Sequence, residues 1–153
     1  MNNLKVEKIS EIIAFVISIF NGEIYSKTKL VKLLYLIDVV FARKYKKPFS
    51  GINYTSYYYG PYSEDIEKAL KLLQDFKYIT VEQYQGFDGT NYYRYKLNSM
   101  PHFSSLTEAE RSEVKNILLP FVLMDVKDIV QVAYNTKEYK QTDFNNVIQF
   151  SYS

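Results

Sequence analysis

The side chains that could act as acids, bases or metal ligands form only one close group in this chain. Glu64, Asp65 and Glu67 lie within four positions of one another, and grouped carboxylates could serve acid–base catalysis or hold a cation. They also follow Ser63, a typical helix N-cap, and acidic side chains in a first helical turn stabilise the helix dipole. We therefore expect a structural role for these carboxylates.

The histidine and cysteine content argues against several other kinds of reactive site. The chain has no cysteine, which rules out disulfides and thiolate metal sites, and it has a single histidine. His102 follows Pro101 in a linker, and no partner for nucleophilic catalysis is evident beside it. Dinucleotide, phosphate-loop, zinc-protease and serine-hydrolase motifs are missing. We predict a protein that is not an enzyme and uses no metal or cofactor.

Basic residues are concentrated between residues 27 and 47. This segment holds seven lysines and arginines against one acid, Asp38, although the whole chain has a net charge of only +2. Lys29 and Lys32 are three residues apart and share a helical face. The cluster could stabilise the C-terminal end of a helix. It could equally be a docking surface for an acidic protein or for phosphates.

Tyrosine is the unusual component of the composition, with 16 copies against no tryptophan. An AT-rich gene would favour tyrosine codons. Tyrosine also joins a large apolar ring to a hydroxyl, which suits protein interfaces. Tyr57, Tyr58 and Tyr59 precede Gly60-Pro61, and Tyr62 follows, so that aromatic rings surround this pair.

Length and hydropathy indicate one soluble domain. The chain has 153 residues, of which 47% are hydrophobic and 24% charged, as in globular proteins. The apolar run at 12–20 is shorter than the roughly 20 residues that a membrane span needs. We expect a buried helix there, no membrane association and a cytoplasmic location.

Apolar residues at three- and four-residue spacing predict the first two helices. The first covers 5–20 and ends at Asn21-Gly22; the second starts at a cap, Ser26 or Thr28, and runs to about Tyr45. Leu33 and Leu34 belong to its core face. Tyr35 could lie in the core or at the solvent edge. Asp38 could be a satisfied, half-buried carboxylate or could pair with a lysine one turn away.

The sequence after the second helix predicts both strands and helices. It predicts a strand at 52–59, a turn at Gly60-Pro61, a third helix capped by Ser63, a hairpin at 78–97 and helices within 107–136. The tail after Thr136 is polar. We predict a mostly helical α+β fold: a single domain over 1–153 with about five helices, a short strand and a hairpin. The order helix, helix, strand, helix, hairpin is that of a winged helix in part.

A winged helix would permit DNA binding. Its third helix would read the major groove, and Arg94 and Lys96 on the hairpin would contact phosphates. The acidic start of that helix, Glu64 to Glu67, would repel phosphate where bases are read. We therefore favour a protein partner and keep a DNA-binding regulator as the alternative.

Two short motifs resemble a known family. Lys29-Leu30-Val31-Lys32-Leu33-Leu34-Tyr35, followed by Tyr59-Gly60-Pro61, is similar to the "tKLqKLLYfa" helix and the "yGPv" turn of the Panacea domain, the SocA-like antitoxins. The resemblance covers about residues 8–76. Tyr62 stands where a valine is frequent, and no tryptophan precedes Gly60-Pro61.

The resemblance implies an antitoxin that neutralises a small toxin by direct binding, or an adaptor that delivers the toxin to a Clp-type protease. Related domains also occur in phage-associated genes, so an accessory interaction protein without a toxin is a further alternative. The sequence does not indicate an oligomeric state.

These observations together predict a protein-binding surface rather than a reactive site. Lysines would steer an acidic partner, and tyrosines would anchor it. The predicted contact residues are Lys29, Lys32, Tyr35, Tyr57, Tyr59 and Tyr62. The predicted structural residues of the two motifs are Leu33, Leu34, Gly60 and Pro61.

Overall fold

The computed structural model describes residues 3–151. Its α-helices are α1 (Asn3–Ile19), α2 (Lys27–Tyr45), α3 (Glu64–Asp75), α4 (Glu108–Leu118), α5 (Val126–Tyr134) and α6 (Lys137–Lys140). Its strands are β1 (Glu23–Ile24), β2 (Thr55–Tyr57), β3 (Gly60–Tyr62), β4 (Ile79–Gln85) and β5 (Asn91–Leu97). A 3₁₀ turn, Leu119–Phe121, extends α4. The prediction of a mostly helical α+β fold is confirmed. No helix in this part of the chain is long and apolar enough to cross a bilayer.

Helix α2 is enclosed by the rest of the protein. Twelve of its 19 residues are buried, and it contacts α4, α5, the sheet and β3. Ser26 is its N-cap, accepting a hydrogen bond from the Lys29 N–H at 3.1 Å. A helix that is buried on most of its circumference must find partners for its polar side chains inside the protein.

A three-stranded antiparallel sheet flanks the helices in the order β1-β5-β4. Strands β4 and β5 form the predicted hairpin, with Val81 opposite Tyr95. Helix α1 packs on α3 and on β5. The succession α1, β1, α2, α3, β4, β5 and this sheet order are those of a winged helix, with the β2–β3 hairpin inserted between α2 and α3.

The Gly60-Pro61 pair is not a turn, which corrects the sequence prediction. Strand β2 covers only 55–57, the chain reverses at Tyr58-Tyr59, and Pro61 pairs with Ser56 inside β3. Gly60 has a φ of +98°, and a Cβ there would lie 2.6 Å from Cε1 of Tyr134. Glycine is therefore needed for both its conformation and the close approach of that ring.

The tail after α6 completes the core. The Asn145 N–H donates to the Ser56 carbonyl at 2.6 Å, and the Ile148 N–H donates to the Tyr54 carbonyl at 2.8 Å, so the tail runs beside β2. Phe150 then packs on Tyr35 and Tyr54, with ring centroids 6.0 and 5.9 Å apart. The polar composition of this segment concealed its structural role.

Truncating Phe150 should weaken the whole fold. Phe150→Ala removes a ring from an aromatic cluster around a buried helix, so we expect a loss of about 2–4 kcal/mol in the free energy of unfolding. Urea denaturation measures it. Val147→Ala, at a 52% exposed position of the same tail, is the control and should change that free energy by less than about 0.5 kcal/mol. Equal effects of the two variants would contradict a core role for the tail.

Candidate functional site

Three polar side chains form a ridge along buried α2. Lys32, Tyr35 and Asp38 are spaced three residues apart, and each is at most 5% exposed. Each bonds to a segment outside the helix. The Lys32 ammonium donates to the Pro61 carbonyl at 2.9 Å, and the Tyr35 hydroxyl lies 2.7 Å from Thr136 Oγ1. We call these three residues the polar ridge.

Asp38 is held by neutral donors. Its carboxylate accepts hydrogen bonds from the Ser50 N–H at 3.0 Å, the Ser50 hydroxyl at 2.6 Å and the Tyr54 hydroxyl at 3.0 Å. Of the two arrangements open from the sequence, the satisfied carboxylate is correct, although its burial is almost complete. Burial raises the pKa of Asp38 to about 6, against the opposing effect of the Ser50 and Tyr54 hydrogen bonds.

A small cavity beside Asp38 offers no second group for acid–base chemistry. It measures about 170 Å³ and lies between α2 and the tail. Among residues 3–151, Asp38 is the single titratable side chain in its lining. General acid–base catalysis on a substrate normally pairs groups whose pKa values differ, so this cavity does not support a catalytic proposal.

Lys32 is buried, which corrects the expectation of an exposed lysine beside Lys29. Only 3% of it is exposed, and burial lowers the pKa of its ammonium to about 8. Lys29 is half-buried, with its ammonium 4.5 Å from the centroid of the Phe20 ring. The expectation was wrong because it assumed that one face of α2 is exposed to solvent.

Tyr35 lies in the core, the first of its two predicted positions. Its side chain is fully buried, as are those of Leu33 and Leu34. Its ring contacts Tyr54 edge-on at 5.3 Å between centroids. Burial raises the pKa of Tyr35 to about 12, so the hydroxyl stays protonated at neutral pH. Tyr35 cannot contact a partner while the domain is folded.

Exposed aromatic rings surround the β2–β3 turn. Tyr57, Tyr58 and Tyr59 are 43%, 71% and 78% exposed, and Phe144 from the tail is 54% exposed. Phe144 stacks on Tyr57 at 5.8 Å and contacts Tyr58 at 4.8 Å between centroids. Tyr62, partly exposed, lies 5.9 Å from Tyr57. We call these five residues the aromatic surface.

The aromatic surface contains three of the predicted contact residues, Tyr57, Tyr59 and Tyr62. Sequence reasoning missed Phe144 because a single phenylalanine in a polar tail carries no periodic signal. Contiguous exposed rings of this kind commonly mark protein interaction sites.

The acidic start of α3 has the expected structural role. The Ser63 hydroxyl accepts a hydrogen bond from the Asp65 N–H at 3.1 Å. Asp65 also forms an ion pair with Lys5 at 3.1 Å, and Glu67 forms one with Lys27 at 2.8 Å. These carboxylates therefore neutralise lysines of α1 and α2.

Several of the basic groups considered for phosphate binding are occupied by carboxylates. Arg94 is held by the carboxylates of Glu23 and Glu82, which corrects the expectation of a free arginine on the hairpin. In the basic segment, Arg43 pairs with the buried Glu138 at 2.5 Å and Lys44 with Glu113 at 2.8 Å. Lys96 and His102 are exposed. Between residues 3 and 151, no group of three acidic or histidine side chains could hold a metal.

Comparison with known families gives a match over most of the chain. A family model described as antitoxin SocA-like, Panacea domain, matches residues 30–147. This range includes the polar ridge, the β2–β3 hairpin and Phe144, and it extends well beyond the 8–76 segment that carries the sequence resemblance. No curated protein and no solved structure matches the chain.

The buried ammonium should be visible in the pH dependence of stability. The Lys32 pKa is about 8 in the folded protein against a usual 10.5, so the unfolded chain binds more protons between these values. The stability of the wild type should therefore rise relative to Lys32→Met as pH increases through this window, by up to about 3 kcal/mol.

Urea unfolding on both sides of the window measures this difference. Lys115→Met, on the exposed side of α4, is the control for loss of a lysine. If the difference in unfolding free energy between the wild type and Lys32→Met stays constant across this pH window, the buried ammonium has no lowered pKa and the prediction is wrong.

Proposed function

Because this chain belongs to the SocA-like Panacea domain family of antitoxins, we propose that it is a non-catalytic protein that neutralises a toxin protein by direct binding. The aromatic surface is the binding site in this proposal. The observation that carries it is the group of rings exposed at the β2–β3 turn and at Phe144.

The construction of this surface supports binding without large rearrangement. Tyr57 is fixed by pairing of β2 with β3 and by stacking against Phe144. The tail that carries Phe144 is hydrogen-bonded to β2 through Ser56. Rings held in this way lose little conformational freedom on binding, and aromatic anchors dominate the energetics of many interfaces.

Adaptor-type delivery of the toxin to a protease is the second mechanism that the family suggests. An adaptor needs a separate surface for the protease. Leu119 and Leu123, which follow α4, are 56% and 96% exposed and lie outside the aromatic surface. In our proposal direct binding is sufficient, so neutralisation does not require these two leucines.

DNA binding is less well supported. Arg94, the hairpin arginine, is engaged by two carboxylates, and Lys5 and Lys27 are engaged by Asp65 and Glu67 at the start of α3. Phosphate contacts dominate the affinity of proteins for DNA. We therefore do not propose a nucleic-acid partner.

The proposal predicts that neutralisation depends on Tyr58 and Tyr59. We expect the double variant Tyr58→Ser/Tyr59→Ser to lose about 10- to 100-fold in affinity for a toxin encoded beside this gene, because exposed anchor rings are removed. Growth rescue on co-expression and calorimetry with the purified toxin measure the loss. Circular dichroism confirms that the variant is folded.

Leu119→Ser/Leu123→Ser is the matched control, since it also removes two exposed apolar side chains. It should rescue growth as well as the wild type. Rescue that depends on the leucines and not on the tyrosines would contradict the aromatic surface as the toxin-binding site and would favour the adaptor mechanism.

A further inference from the structure

A cavity opens beside the aromatic surface, between the start of α2 and the β2–β3 hairpin. It measures about 210 Å³. Thr28 and Lys32 line it from α2, and Tyr57, Tyr59 and Tyr62 line it from the hairpin. We call it the Lys32 pocket. Three of its wall residues therefore belong to the surface that we propose for toxin binding.

The charge of Lys32 is uncompensated. An ammonium has three N–H donors, and the Pro61 carbonyl is the one acceptor that residues 3–151 offer to it. No ion pair with Lys32 occurs in this part of the chain. A buried charge without a counter-ion is costly, and a partner that supplies one recovers part of that cost.

The neighbouring groups leave this charge without a counter-ion. Lys27, the other cation of the pocket, is paired with Glu67 at 2.8 Å, so that carboxylate is already engaged. Gly60 carries no side chain where a Cβ would lie 3.1 Å from Lys32 Cε and 3.4 Å from Nζ. The absence of a side chain at Gly60 therefore leaves room for the Lys32 side chain itself.

We propose that the Lys32 pocket receives one aspartate or glutamate side chain of the toxin, whose carboxylate pairs with the Lys32 ammonium between the tyrosine rings. The identity of the partner rests on the proposed function, whereas the carboxylate chemistry rests on the pocket. An ammonium with two open donors matches a carboxylate, and the faces of the tyrosine rings match the methylene groups of an acidic side chain.

The position of the pocket gives the pair a defined role in binding. Charge pairs at a rim are screened by water, whereas a pair enclosed by aromatic rings is desolvated and acts on specificity and dissociation rate. The acidic side chain would fix the register of the toxin on the aromatic surface. Lys32 is therefore a specificity residue reached through the pocket, and not the exposed steering charge that the sequence suggests.

A titration that needs no toxin tests the pocket itself. Sodium propionate, a stand-in for the glutamate side chain, is added to ¹⁵N-labelled protein while lysine ammonium resonances are followed by NMR. We expect the Lys32 signal to shift saturably, with a dissociation constant of roughly millimolar size for so small a ligand. Propionamide, the neutral analogue of propionate, should not shift it.

Two variants make this titration decisive. Thr28→Trp fills the mouth of the pocket from an exposed position and leaves Lys32 in place, so it should abolish the shift even if Lys32→Met proves unstable. Lys115→Met is the control and should bind propionate like the wild type. A shift that survives Thr28→Trp, an equal response to propionamide, or tighter binding of inorganic phosphate would each overturn the proposal.

Binding of the toxin separates failure of this inference from failure of the proposed function. We expect Lys32→Met to bind the toxin about 10- to 100-fold more weakly than the wild type. Equal binding would overturn the pocket and leave the antitoxin function standing. A saturable propionate site in a protein that does not bind the adjacent toxin would leave the pocket standing and overturn the proposed antitoxin function. Loss of affinity on amidating the C-terminus of the toxin would reassign the carboxylate to that terminus and overturn the side-chain assignment.

Discussion

The burial of α2 on most of its circumference is the constraint on which the structure depends. A helix in this position cannot leave polar side chains to water, so each must be matched by another part of the protein. Lys32 is matched by Pro61, Tyr35 by Thr136, and Asp38 by Ser50 and Tyr54. The polar ridge thereby determines where the segment at 50–61 and the start of α6 must lie.

The aromatic surface follows from the same constraint. The segment that forms hydrogen bonds with Lys32 and Asp38 also forms β2 and β3, and its turn carries Tyr58 and Tyr59. The tail that covers Tyr54 with Phe150 also brings Phe144 against Tyr57. The segments that hydrogen-bond to α2 and pack over it therefore also position the exposed rings. A change to these buried contacts should alter the aromatic surface as well.

Local signals in the sequence predicted the local structure well. The N-caps of α2 and α3 and the β4–β5 hairpin are each set by residues close in sequence, and the α2 cap is Ser26, one of its two candidates. Short-range hydrogen bonds and periodicity determine such features, and a single chain is enough to identify them.

The errors concern contacts between residues far apart in the chain. The sequence predicts an exposed Lys32 because a polar residue on an amphipathic helix is usually exposed to solvent. The residues near Lys32 in the chain do not indicate that β3 covers it. The DNA-binding alternative leaves Arg94 free for phosphate, because its partner Glu23 is distant in sequence. The sequence predicts no role for the tail, because Val147, Ile148 and Phe150 are too few apolar residues to indicate an element. Only the three-dimensional arrangement reveals these pairings. It also places three predicted tyrosines of the site together, along with a phenylalanine that the sequence did not indicate.

The long reach of the tail has a consequence for protein synthesis. Helix α2 leaves the ribosome well before the residues that close over it, from Thr136 to Phe150. A nascent chain can form its local helices during translation, but it cannot enclose α2 or place Phe144 beside Tyr57 until the tail has emerged. The complete aromatic surface therefore forms only after residues up to Phe150 have left the ribosome, and a nascent chain that stops short of the tail would lack it.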